Sequence, residues 1–305
     1  TNVVPSDATT VGAIAGPLEK GPVSSITSIG SEQELVQIFG KPQGDNFEWW
    51  FTAANFLQYT DALRVVRCES AVVNAGANSG ILIRDDDHYD NDFDNGQASV
   101  GEWTARTAGT HGNAVGVSIC ATATAYEQTA VTTTSAQEAL GQTTISVTDA
   151  TVFSVGDLVN FGETDGHEYE VKTVNDSGSA DTIVIKLKDD ANGAGLQSTI
   201  SSGTSIRRRW RFYDLFDGAP GTSNYASQND RGTLDEIHIV VYDTTGAISG
   251  FSVDADGQRT NAVLETFANL SVNNNAKGPQ GDSIFYADVI SVSYTHLTLP
   301  TSDLV

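Results

Sequence analysis

The chain has no methionine, only two cysteines and seven prolines in 305 residues, and far fewer basic than acidic side chains. Without a methionine there is no initiator, so Thr1 is read as lying inside a longer translated product, truncated at its N-terminus. Neither a disulfide between the two cysteines nor metal binding by them is expected. Cys68 and Cys120 each sit in an apolar stretch that reads as a buried strand, where a free thiol behaves as a small hydrophobe. No apolar run reaches the roughly 20 residues of a membrane span, and no charged n-region leads into a hydrophobic stretch, so a soluble, unsecreted protein is expected. Lys and Arg number 16 against 39 Asp and Glu, a formal charge of -23. Such a surface repels phosphate backbones and anionic headgroups, which argues against nucleic acid and membrane as partners. The carboxylates read as a solvated coat that keeps an abundant protein soluble.

What is present is a loop-rich globular composition, 39% hydrophobic and 18% charged. Its length calls for two or three domains. The fold class expected is α+β and multidomain, with strands outnumbering helices. Val11 to Ala15 reads as a buried strand ending in Gly/Pro turns. Ser31-Glu32-Gln33-Glu34 forms a capping box that opens a helix closed by Gly40 and Pro42. Phe47 to Gln58 has apolar residues near helical spacing, and Leu63 to Cys68 reads as a strand. Strand, helix, helix, strand suggests a mixed α/β layer, the N-terminal part of a core domain over residues 1–75. Ala71 to Gly80 reads as a linker, Gly80 to Arg84 as a short strand, Asp85 to Asn95 (DDDHYDNDFDN) as an exposed acidic loop, and Asn113 to Ala121 as a strand. Residues 76–126 and 209–292 form a discontinuous, strand-rich α+β middle domain that includes strands at Ile237 to Tyr242 and Ile284 to Val292. Between its halves, residues 127–208 are an inserted small all-β barrel or sandwich, with strands at Thr144–Val147, Leu158–Phe161, Glu168–Thr173, Thr182–Leu187 and Ser205–Arg209 separated by Gly/Asp turns such as Val155-Gly156-Asp157. Residues 293–305 (SYTHLTLPTSDLV) fit neither the preceding periodicity nor its composition. They resemble a translated sequencing-adapter read-through and are excluded from the fold as non-native.

Signals of chemistry are sparse. Asp90, Asp92 and Asp94 alternate as calcium ligands do, but Gly96 falls seventh rather than sixth and position twelve is Gly101, so the EF-hand pattern fails; a surface cation site stays open beside the reading of a solvated acidic loop. His88, His111, His167, His238 and His296 form no metal-ligand spacing. His111, in a glycine-flanked loop, is a candidate base only if an oriented partner exists, and a structural role is the simpler reading. No phosphate-cradling loop and no nucleophile elbow occurs. No catalytic, metal or cofactor-binding residue and no cofactor is assigned. Arg207-Arg208-Arg209-Trp210-Arg211 is the only basic run. It reads as a charge-protected strand edge at a domain junction, or as a docking patch for an acidic neighbouring subunit.

Several segments together resemble the tail sheath proteins of T4-like myoviruses of cyanophage type. Val11 to Gly16 with Glu19-Lys20-Gly21-Pro22 resembles the family's opening strand and turn. Ser31 to Pro42 (SEQELVQIFGKP) resembles its "ELVxxFGxP" element, and Ala53 to Arg67 (AANFLQYTDALRVVR) its "AxNFLxYxxxLRVVR" element. Trp103 to Ile119 is similar to a strand entry of the family, with Thr107-Ala108 where proline is common. The resemblance covers Val11 to Cys120 well and Asp235 to Val292 loosely.

The resemblance implies a structural protein, not an enzyme. Its subunits would form hexameric rings stacked helically around a tail tube, joined by strand exchange between arms, and contraction would drive the tube through the host envelope. The implied partners are other sheath subunits, the tail tube protein, and baseplate and tail terminator proteins. The implied location is the virion tail, with host cytoplasm during assembly. Residues 1–75 would then belong to the sheath core domain. Packing and subunit-contact candidates are Phe39, Trp49, Trp50, Phe56, Tyr59, Arg64 and Arg67, with Arg207, Arg208 and Arg209 from the basic run. Two alternatives stay open: the sheath of a non-phage contractile injection system, and an acidic β-module that binds or processes carbohydrate, which would need calcium or a cleft with paired carboxylates.

Overall fold

The computed structural model describes residues 11–69, 71–93, 99–178, 180–188, 190, 193–250, 262–293 and 297–298. The chain forms two compact units, divided between Val115 and Gly116 and again between Tyr286 and Ala287. Helices and sheets occur together, so the fold is mixed α+β.

The N-terminal unit is built on β1 (Gly12–Gly16), β2 (Ile26–Ile29), α1 (Glu32–Phe39), α2 (Phe47–Leu57) and β3 (Leu63–Arg67). The sheet order is β1-β3-β2, with β1 parallel and β2 antiparallel to β3. A parallel neighbour needs a crossover, and the two helices supply it. The capping box forms: Ser31 Oγ accepts from the Glu34 N–H at 3.2 Å, and the Glu34 carboxylate accepts from the Gly30 N–H at 2.8 Å. Gly40, at φ 84°, ends α1. Leu35 and Phe39 of α1, and Trp50, Ala53 and Ala54 of α2, are buried over the sheet with Leu63, Val65 and Ile29.

Strand β1 is not fully buried as expected. Its exposure alternates, with Ala13 and Ala15 outward, because the helices cover one face of the sheet and β1 has a neighbour on one side only. On the covered face α2 comes very close. A Cβ at Gly12 would strike the Phe56 ring and one at Gly16 the Trp49 indole, so both positions must lack a side chain. Cys68 also departs from expectation. The strand ends at Arg67, the chain leaves the sheet, and Cys68 is exposed, whereas Cys120 is buried.

The segment read as a linker is mostly exposed but anchored at one buried residue. Asn74 is fully buried; its amide donates to the Ala105 and Arg106 carbonyls (2.9 and 3.0 Å) and accepts from the Ile83 N–H (2.8 Å). The expected strand at 80–84 reduces to a single bridge, Asn74 to Ile81. In place of an acidic loop, the chain forms α3 (Asp86–Asp92). Asp85 caps it by accepting from the His88 N–H at 2.9 Å, and Asp86 and Asp87 lie in the first turn, where the helix dipole favours negative charge. The two-residue β4 (Thr104–Ala105) and a 3-10 turn at Thr110–Ala114 follow.

The second unit opens with β5 (Val115–Cys120) and the one-turn α4 (Ala123–Tyr126). Six strands then make one sheet: β6 (Glu127–Thr133), β7 (Thr144–Ser146), β8 (Leu158–Asn160), β9 (Tyr169–Asn175), β10 (Thr182–Leu187) and β11 (Ser205–Arg209), in the order β6-β11-β8-β9-β10-β7. The outer strands meet at their ends: Thr134 bridges Val147, and Ser135 N–H to Ser146 O and Thr148 N–H to Thr133 O are both 2.9 Å. The sheet thereby closes into a small barrel, filled by Ile145, Phe161, Tyr169, Val171, Ile183, Ile185, Leu196 and Ile206. Strand β11 lies inside this sheet, between β6 and β8, rather than at the edge the basic run suggested.

After the barrel come a 3-10 turn at Tyr213–Leu215, α5 (Asn224–Asn229), β12 (Glu236–Asp243) and β13 (Ala262–Ser271). These two strands join β5 in a three-stranded sheet, ordered β13-β12-β5. The last elements among the described residues are α6 (Tyr286–Ser293) and β14 (Leu297–Thr298), the latter pairing antiparallel with β4. A strand was expected at 284–292. Among residues 284–290, whose burial is described, Tyr286 and Ile290 are buried, four apart, which is helical spacing and overrides the β-branched composition.

Candidate functional site

The candidate residues fall into two groups, one in each unit. In the N-terminal unit, Phe39 is buried at the end of α1 and Trp50 beneath it, its indole N–H donating to the Gly40 carbonyl at 2.9 Å. Phe56 and Trp49 lie on Gly12 and Gly16, and Trp49 keeps 38% of its surface exposed. Tyr59, just past α2, is 88% exposed. Phe47 and Phe51, one turn apart on α2, are about half exposed. Aromatic surface is thus held out to solvent beside a core made of the same residue type.

The two arginines of β3 have opposite fates. Arg64 is exposed on the open face of the sheet, opposite Ala13 of β1 and Ser28 of β2. Arg67 is buried. Its Nε donates to the Leu18 carbonyl (2.7 Å), Nη1 to Gly21 and Ala108 (3.2 and 2.7 Å), and Nη2 to Glu19 (3.2 Å). One guanidinium therefore ties the turn after β1 to the loop before the 3-10 turn. Burial pushes its pKa down, and the nearby Glu69 and Glu19 carboxylates oppose that.

In the second unit, Arg207, Arg208 and Arg209 of β11 all face groups of their own chain. Arg207 pairs with Glu127. Arg208 donates to the Val152, Thr124 and Ala125 carbonyls at 3.3, 2.9 and 3.4 Å and lies 3.6 Å from Asp157. Arg209 reaches Glu127 at 3.3 Å and Glu168 at 2.7 Å and stacks over the Tyr213 ring. Burial pushes the Asp157 carboxyl up, and the Ser154 N–H, Arg208 and Arg211 pull it back.

Of the buried carboxylates that escaped the sequence reading, two flank β12. Asp243, closing β12, accepts from the N–H groups of Thr245, Gly246, Ile248 and Ser249 and from the Ser249 hydroxyl, at 2.8 to 3.1 Å. Burial raises its pKa, but these donors outweigh burial and hold it at about 2. Asp235, just before β12, accepts from the Ser223 N–H and from the Ser223 and Ser271 hydroxyls. An Asp followed by Thr-Thr-Gly is a turn signal that could have flagged the first.

Among the described residues, no three His, Cys, Asp or Glu side chains are placed to hold a metal ion. Asp90 and Asp92 project in different directions from α3, and Asp94 lies outside the described residues. Among the described residues no helix is long and apolar enough to cross a membrane.

No protein-family model matches the chain. It is 39% identical over 87 residues to the tail sheath protein of Vibrio phage KVP40, a stretch covering 24% of this chain and 13% of that protein. It is 38% identical over 66 residues to the tail sheath protein of Enterobacteria phage T4, covering 22% of this chain and 10% of that protein. The matched stretch thus spans only 13% and 10% of these relatives' own lengths. Within that stretch, the resemblance to T4-like tail sheath proteins is a direct sequence similarity to two of them.

Proposed function

We propose that this chain is part of a contractile tail sheath subunit of a T4-like bacteriophage, a structural protein that polymerises helically around a tail tube, works by rearrangement and carries out no chemistry. The observation that carries this proposal is the 39% and 38% identity to two tail sheath proteins. The motif elements at Ser31–Pro42 and Ala53–Arg67 agree with it, and they coincide with α1 and with the run from α2 into β3.

In this proposal residues 1–75 are the N-terminal part of the sheath core, residues 76–126 and 209–292 the middle domain, and residues 127–208 an inserted outward-facing barrel, with 293–305 foreign to the protein. Its partners are other copies in hexameric rings, the tube protein, and baseplate and terminator proteins. The solvent-exposed Trp49, Tyr59 and Arg64 are the contact positions; Phe39, Trp50, Phe56 and Arg67 hold the unit that presents them. Copies joined head to tail without closure build a filament.

The test is to express the complete gene and image its product by negative-stain electron microscopy, with the neighbouring genes read alongside. Tubular polymers and an adjacent tube-protein gene are expected. A monodisperse monomer with no tail genes nearby would overturn the assignment.

A further inference from the structure

The barrel is joined to the rest of its unit by only two chain crossings, α4 into β6 and β11 into the 3-10 turn at Tyr213–Leu215. Two bare crossings would leave it free to swing. Instead, side chains of the basic run grip both sides of the junction. Arg208 reaches into the barrel, at Val152 and Asp157 ahead of β8, and out of it, at the Thr124 and Ala125 carbonyls of α4. Arg209 joins Glu168, at the entry to β9, to the Tyr213 hydroxyl beyond the barrel at 3.3 Å. Arg211 lies over the Tyr242 ring of β12 at 5.0 Å and against the barrel turn, where a Cβ on Gly156 would come within 3.0 Å of its guanidinium.

An aromatic collar completes the junction. The Trp210 indole N–H donates to Ser118 of β5 at 2.9 Å. Trp210 stacks on Phe216, and Phe216 lies parallel to the His238 ring of β12 at 4.3 Å. The Trp210 N–H bonds the Tyr126 carbonyl at 2.8 Å, and the Tyr126 hydroxyl donates to the Tyr213 carbonyl at 2.7 Å, so the two crossings are also bonded to each other.

We propose that Arg208, with Arg209 and Arg211, pins the barrel to the β5–β12–β13 sheet, so that the two move as one body and the barrel's outer surface is presented at a fixed orientation. The only basic run in a strongly acidic chain is then an internal seam, with Arg208 as its positioning residue. This inference stands whether or not the chain belongs to a sheath.

The test is backbone 15N relaxation on the 305-residue chain, comparing amides of the barrel strands with those of β5, β12 and β13. One common rotational correlation time is expected. Arg208→Gln is expected to shorten the barrel's time about two-fold relative to the sheet, while barrel amide shifts away from the junction stay unchanged. Should Arg208→Gln fail to fold, Tyr126→Phe loosens the same junction by one hydroxyl and is expected to shift the ratio in the same direction. A barrel that already tumbles faster than the sheet in the unaltered chain overturns the proposal. So does a common time that survives substitution.

Discussion

At the scale of single residues, β3 separates two arginines that look alike in sequence. The alternation Leu63, Val65, Arg67 places the second arginine on the buried face, and Arg64 on the open one. Grouping both among the packing and subunit-contact candidates overlooked that period of two. Arg67 supplies hydrogens to four main-chain carbonyls, three of them in buried bonds, and each buried acceptor left unpaired costs about 1–3 kcal/mol. Arg67→Leu is therefore expected to destabilise the N-terminal unit by about 3 kcal/mol or more in urea unfolding. Arg67→Lys should recover little, because an ammonium cannot reproduce the planar fork. Arg64→Ala should stay within about 0.5 kcal/mol of the parent. Equal effects of Arg64→Ala and Arg67→Leu would mean that Arg67 is not the tie described. Gly16→Ala tests the close approach of α2: its methyl would meet the Trp49 ring, and about 1–3 kcal/mol should be lost to overpacking.

At the scale of elements, β12 runs between two buried carboxylates, Asp235 and Asp243, each held by N–H and O–H donors of the adjoining loops. In both, the donors outweigh burial and bring the pKa below its ordinary value, to about 2 in Asp243. A depressed folded-state pKa contributes stability that is complete above the unfolded value, near 3.9, and is lost as pH falls toward the folded one. Thermal unfolding followed from pH 6 to pH 2 should therefore lose stability mainly between about pH 4 and pH 2. Asp243→Asn should flatten that loss; an unchanged profile would show that Asp243 is not its source. Strong local signals made several elements legible. The capping box at Ser31, the apolar spacing of α2 and the Gly/Asp-separated barrel strands were all readable in the sequence itself. Strand β6 was not, because its Thr-rich sequence is nearly all half-exposed and carries no clean alternation. Helix α6 was misread because Val and Ile favour strands in isolation, whereas the spacing of its buried residues is a property of the packed unit. The packing of Asn74 had no sequence signal, since its partners lie up to 32 residues away.

At the scale of the whole molecule, the charge of -23 sets the terms on which copies of this chain can meet. Several of its few cations already face groups of their own chain: Arg67 the carbonyls, Arg207 and Arg209 Glu127, Lys172 Glu170, Lys188 Glu168, and Arg106 Asp86. Attraction between copies then has to come mainly from apolar surface, of which Phe47, Trp49, Phe51 and Tyr59 expose the largest side chains among the described residues of the N-terminal unit. Repulsion between polyanions reaches as far as the Debye length, roughly 30 Å at 0.01 M salt and 8 Å at 0.15 M, while apolar contact is not weakened by salt. Self-association measured by sedimentation velocity should therefore increase as sodium chloride rises from about 0.02 to 0.5 M. Tyr59→Ser and Phe51→Ser should blunt the increase without changing its direction. If opposite charges held the copies instead, for example Arg64 against a neighbour's carboxylates, salt would dissociate them. The sign of the salt effect thus separates contact driven by the aromatic surface of α2 from contact driven by the single exposed cation of β3.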